Sequence, residues 1–281
     1  MSFTEAKRTA IQNYMLDKIR SQEKDFLKKT AENFGISETS VRRYLSDCLR
    51  TGILLGEEEA PTGWRLKTVS AQWSWDLREG DFEEDDVFWE CIHPFLQDLA
   101  GNVRDIWYYA FTEIMNNAIE HSGSSKIFCA IQKDELYTEI SIVDNGIGVF
   151  RRIRDYAQEI LGMKMNAAQA ALELYKGKFT TDPSSHSGEG IFFVSKMLSE
   201  IAIWSEDTYY SWRCDDRDRF VQSHLLAYYT RLEGIGTMAV MKLANNAEHT
   251  SREVFDEFAP LEEGVVKTQI PLREMLSLIH I

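Results

Sequence analysis

The sequence predicts an α+β protein built from two domains. Three observations carry this. The first seventy or so residues repeat apolar side chains with helical period and close in a short hairpin. From residue 71 onward, apolar runs of strand length alternate with helical segments. Glycines gather where a strand gives way to a turn, at 146 and 148, and just before a helix, at 188 and 190.

Residues 4–20 place Ile11, Met15, Leu16 and Ile19 on one helical face. The next stretch, DFLKKTAENFGISETSVRRYLSDCLRTGIL, has the form of a helix-turn-helix. Phe26, Leu27 and Ala31 face inward, Gly35 makes the turn, and Ser37 to Ser40 cap a second helix that turns Val41, Tyr44 and Leu45 to the core. Thr39, Arg42 and Arg43 then point outward near its start, as candidate DNA contacts. A hairpin from Gly52 to Leu66 makes the segment winged-helix-like, and 1–68 is read as one domain. Glu57, Glu58 and Glu59 at the hairpin tip would repel phosphate, so DNA and a regulatory protein both stay open as its partner.

The second domain, 69–245, begins with a strand, AQWSWDL, whose Trp73, Trp75 and Leu77 share one side. An acidic loop, Gly80 to Asp86, leads to a helix over Val87 to Leu99, in which His93 is expected to be partly buried and structural. A helix over Val103 to His121 carries the core stripe Trp107, Ala110, Phe111, Ile114 and Ala118. Strands KIFCAIQK and LYTEISIV follow, then the turn DNGIG. The long connection 149–187 is expected to hold two helices, Ile153 to Leu161 and Asn166 to Tyr175, and a polar end; a connection of this length is usually functional. A helix from Ile191 to Leu198 precedes strands IAIWS, YYSWRC, FVQSHLLAYY and GTMAVMKLA, expected to complete a mixed sheet with a hairpin turn at Asp215 to Asp218. A tail, 246–281, contains a helical SREVFDEFAPL.

Glu113 and Asn117 lie four residues apart, one above the other on a helix face opposite the apolar stripe. Asp144 and Asn145 leave a continuous apolar strand and run into Gly146 and Gly148, where the backbone can turn and admit a ligand closely. Gly188 and Gly190 open a helix, which presents unpaired N–H groups and a positive dipole end suited to phosphate.

The order E-x-x-x-N-A, D-x-G-x-G, a long connection, then G-x-G-I, with about 25 and then about 40 residues between the motifs, resembles the GHKL ATPases such as gyrase B, MutL proteins, histidine kinases and anti-sigma serine kinases. The resemblance implies a two-layer α/β sandwich, the Bergerat ATP-binding fold, with ATP and Mg²⁺ as cofactors. In that reading Glu113 matches the general base, and the Asn117 amide oxygen suits Mg²⁺. Asp144 accepts the adenine amino group, with Gly146 and Gly148 letting the purine approach. Ser187, Gly188, Gly190 and Ile191 form the phosphate cradle, and His121 supports by hydrogen bonding or touches phosphate. Asn116 stands behind them as a supporting amide. Lys176 and Lys178 are candidate phosphate contacts or solvated lysines.

The pairing of ExxNNAxxHS with KFTTDPSSHSGEGIFF is similar to bacterial regulators that join a helix-turn-helix, a GHKL domain and a STAS-like domain; the similarity runs over about residues 5–272 and leaves out the third domain. It implies an ATP-hydrolysing switch acting on DNA or a regulatory protein, with an expected homodimer. An anti-sigma-type serine/threonine kinase acting on a STAS-like partner and a non-hydrolysing sensor are the alternatives. The absence of the rest of a dimerisation helix around His93 disfavours a histidine kinase.

Charge is uneven along the chain. Residues 1–70 carry 12 Lys+Arg against 10 Asp+Glu, and the other 211 carry 19 against 35, so the acidity of the −14 total belongs to the second part. Nonspecific nucleic-acid or membrane binding by that part is disfavoured. Cys48, Cys91, Cys129 and Cys214 form no C-x-x-C pair, which fits a reducing compartment, and no apolar run approaches a membrane span. A cytoplasmic location is expected.

Overall fold

Ile11, Met15, Leu16 and Ile19, predicted to share a helix face, are the buried residues of α1 (Glu5–Arg20), which Thr4 caps by accepting the Lys7 N–H. The computed structural model describes residues 3–80, 82–176, 190–206, 208–212 and 234–258. The chain divides into two compact units, residues 1–70 together with 132–138, and residues 71–131 together with 139–281.

In the first unit α2 (Phe26–Phe34) ends on Gly35 in the left-handed region, φ 61°, where an L side chain is strained. The Ser37 hydroxyl then accepts the Ser40 N–H and starts α3 (Glu38–Arg50). Strands β1 (Leu54–Gly56) and β2 (Trp64–Leu66) pair antiparallel, Leu54 opposite Leu66. Phe26, Ala31, Val41, Leu45, Leu54 and Leu66 form the core with α1.

Leu136 belongs to this core as well. Its turn is shaped by Asp134, which accepts the N–H groups of Leu136 (2.8 Å) and Tyr137 (2.9 Å) and pairs with the Arg20 guanidinium at 3.0 Å. Arg20 also lies over the Tyr137 ring, 4.9 Å from its centre. Truncating Leu136 to alanine is expected to destabilise this unit by about 2–3 kcal/mol, read as faster amide exchange throughout α1 to α3. Unchanged protection there would contradict its place in the core.

The second unit is α+β and holds a six-stranded sheet in the order β3-β4-β5-β8-β6-β7. Its strands are β3 (Val69–Asp76), β4 (Lys126–Lys133), β5 (Tyr137–Asp144), β6 (Glu200–Ser205), β7 (Thr208–Trp212) and β8 (Thr237–Ala244). The sheet is antiparallel, which corrects the expected mixed sheet. The helical connection joins β5 to β6, which run the same way, but β8 inserts between them and pairs antiparallel. Among the described residues no parallel neighbours remain.

Side chains alternate across the sheet as the pleat requires. Ile127, Cys129, Ile140, Ile142, Ile201, Met241 and Leu243 meet the helices on one face, while Phe128, Val143, Met238 and Val240 cluster on the other. The helical layer consists of α4 (Glu84–Val87), α5 (His93–Leu96), α6 (Gly101–Asn116), α7 (Val149–Leu161), α8 (Ala167–Lys176), α9 (Gly190–Met197) and α10 (Ser251–Phe258).

The helix expected over Val87 to Leu99 is instead α4 and α5 joined by a widened π turn, Phe88–Ile92. It starts early because Glu84, Asp85 and Asp86 suit a helix N-terminus. It widens because Pro94 has no N–H to give the preceding turn. His93, half-buried between Phe88 and Trp89, has the structural setting expected of it. None of the described helices is long and apolar enough to cross a membrane. The strand FVQSHLLAYY, the turn Asp215 to Asp218, and the stretch with Lys178, Ser187 and Gly188 lie outside the described residues.

Candidate functional site

The site begins on α6. Its predicted stripe, Trp107, Ala110, Phe111 and Ile114, is buried, so the opposite side of the helix carries Glu113, half-buried. At Asn117 the helix does not continue in regular form to His121, as expected, but widens into a π turn, Asn117–His121. Such turns re-aim side chains and recur at functional sites. The Asn117 Nδ2 donates to the Glu113 carbonyl at 2.6 Å, which leaves Oδ1 as the amide's remaining acceptor. His121 sits with Nε2 3.8 Å from the Glu120 carboxylate, and Asn116 is half-buried beside them.

The end of this turn anchors the D-x-G-x-G loop. Ser122, buried, donates from Oγ to the Ala118 carbonyl (2.6 Å), and its own carbonyl accepts the Ile147 N–H (2.9 Å). Gly146 lies so close to the Ser122 backbone that a Cβ there would overlap it. Gly148, at φ 89°, leaves no room for a Cβ beside Ser205 Oγ and the Gly236 carbonyl. Asn145 serves the scaffold: its Oδ1 accepts the N–H groups of Ser125 and Lys126, and its Nδ2 donates to Ser125 Oγ.

Asp144 is only 4% exposed. Its carboxylate accepts the Gly146 N–H at 2.7 Å and both the N–H and the hydroxyl of Thr237. Burial nonetheless dominates and pushes this carboxyl from the ordinary 3.8 up to about 6. The folded state thus holds the proton more tightly than the unfolded chain, so the Asp144 contribution to stability is greatest below 3.8 and falls as pH rises through about 6. A shift of this size corresponds to about 3 kcal/mol. The wild type is expected to lose stability relative to Asp144→Asn between pH 4 and 6 in urea unfolding; parallel pH curves would contradict the buried carboxylate.

Two residues of this cluster were not singled out from the sequence. Thr237 holds the Asp144 carboxylate and accepts the Val149 N–H at 3.0 Å, and Gly236 packs against Asp144 and Gly146 where any side chain would collide. The signal was the glycine–hydroxyl pair directly before the apolar strand MAVMKLA.

The fourth segment arrives with α9. Gly190 begins it, and a Cβ at Gly190 would overlap the Glu113 carboxylate. The positive end of the helix therefore bears on that carboxylate, an attractive pairing. Ile191 turns its side chain into the core, so only its backbone can serve an anion. Lys176 closes α8, and Lys178, Ser187 and Gly188 lie outside the described residues.

These contacts give two groups, Glu113 with Asn117 and Gly190, and Asp144 with Gly146 and Gly148, joined through the turn from Asn117 to Ser122. In the first unit Thr39, Arg42 and Arg43 are all exposed on the first half of α3, with Arg42 3.9 Å from Glu38. Comparison with protein-family models gave no match, and comparison with curated proteins gave none either.

Proposed function

We propose that the second unit binds Mg-ATP in the Bergerat manner and hydrolyses it, and that the winged-helix-like first unit carries the resulting switch to DNA or a regulatory protein. The observation that carries the reading is the buried Asp144 carboxylate with Gly146 and Gly236 against it and Gly148 packed next to Gly236. A carboxylate kept from water, held by the Thr237 hydroxyl and flanked by glycine backbone, is suited to a flat ligand with an amino donor, as adenine is.

The remaining groups fit the other end of the nucleotide. Asn117 Oδ1 is a hard oxygen of the kind Mg²⁺ takes, and among the described residues no group of three or more His, Cys, Asp or Glu could hold a metal alone. Mg²⁺ takes few protein ligands and completes its shell with phosphate and water; bound there, it would neutralise phosphate charge. Glu113, one turn from Asn117, accepts the proton of an attacking water. The α9 N-terminus at Gly190 favours the phosphate oxygens.

The test is phosphate release from Mg-ATP by the purified protein. Slow but measurable turnover is expected. Tight ATP binding with no release would remove hydrolysis from the proposal.

A further inference from the structure

Trp89 is 54% exposed and Tyr108 37% exposed, on neighbouring elements of the helical layer. Large aromatics left to solvent as a group mark interaction surfaces more often than single exposed residues do. The two rings stand 5.9 Å apart and tilted by 38°, and His93 lies 4.7 Å from Trp89. Phe88, buried, meets both exposed rings edge-on at 5.4 and 5.2 Å and holds them from beneath. The π turn over Phe88–Ile92 helps to place these neighbours, so the arrangement is built into the fold.

A carboxylate borders the Tyr108 ring, and a second lies on the same π turn as Trp89. Asp85 accepts the Tyr108 hydroxyl at 2.8 Å, and Glu90, adjacent to Trp89, is exposed. Arg104, one turn earlier on α6, is directed at the Gln97 carbonyl at 3.5 Å. Ring faces and carboxylates together select for cations, because the ring quadrupole and the charge act in the same sense.

We propose that this face, Trp89 and Tyr108 with Asp85 at its edge and the exposed Glu90 on the same π turn, docks an arginine- or lysine-bearing segment of a partner protein. The aromatic faces take the cationic head and the carboxylates orient it. The strongly acidic balance of the surrounding chain favours the encounter with a basic partner. This surface does not depend on the nucleotide reading.

The probe is a fluorescein-labelled peptide of alternating arginine and serine, followed by anisotropy in 150 mM salt, about the physiological level. Trp89→Leu, which keeps an apolar side chain, is expected to weaken binding roughly tenfold. Glu90→Lys should weaken it more than Glu257→Lys, a charge change of the same size at an exposed position on α10. Equal losses from the two lysine variants, or no loss in Trp89→Leu, would reduce the binding to general charge attraction and overturn the proposal. A wild-type dimer that Trp89→Leu converts to monomer, with peptide binding unchanged, would assign the face to a second copy instead. Circular dichroism of each variant separates lost binding from lost folding.

Discussion

Replacing Glu113 with alanine is expected to reduce phosphate release from Mg-ATP by at least about a hundredfold while leaving nucleotide affinity within about threefold. The asymmetry follows from its position. Its carboxylate meets the start of α9 at Gly190, a setting that the proposed mechanism uses for the attacking water and the phosphates. The base and metal sites of the nucleotide would remain. Glu113→Gln keeps the shape but cannot accept the proton, so it should behave as alanine does in turnover. A variant that loses binding and turnover together would place Glu113 in the binding machinery instead.

The second large effect concerns Asn117. Alanine there is expected to remove the Mg²⁺-dependent gain in ATP affinity, a loss of roughly tenfold to a hundredfold, while affinity measured in chelator changes little. The same change also deletes the 2.6 Å bond from Nδ2 to the Glu113 carbonyl at the point where α6 widens. That loss costs about 1 kcal/mol of stability. Thermal unfolding of the variant therefore belongs beside the titration. Equal Mg²⁺ dependence in wild type and variant would refute the metal assignment.

Helix faces were readable because the period of burial is written in the residues themselves. Trp107, Ala110, Phe111, Ile114 and Ala118 recur at helical spacing and all are buried. Trp73 and Trp75 are half-buried, alternate along β3 and pack against the core. What escaped depends on partners distant in sequence. The direction of a strand is set by which neighbour it meets, and the insertion of β8 between β5 and β6 leaves no mark on any of the three. Leu136 reads as an ordinary hairpin residue, yet it fills the core of the first unit. The π turns at Phe88–Ile92 and Asn117–His121 arise where a helix absorbs an extra residue, which a regular period cannot announce.

The candidate site divides along the same line. Glu113, Asn117 and Asp144 announced themselves by residue type and spacing, and the glycines by the turns they permit. Thr237 did not, because its role is to hold a carboxylate 93 residues earlier in the chain. Gly236 stood out no better, although it packs directly against Asp144 and Gly146.

Calorimetric titration of the purified protein with Mg-ATP and, separately, with Mg-GTP tests the central claim most directly. In the proposed site the buried Asp144 carboxylate would accept from the amino group of adenine, whereas guanine presents a carbonyl at that position and would leave the carboxylate facing another acceptor. Saturable ATP binding is expected, with GTP at least about a hundredfold weaker and the preference lost in Asp144→Asn. No heat with either nucleotide, or equal binding of both, would contradict an adenine-reading nucleotide site.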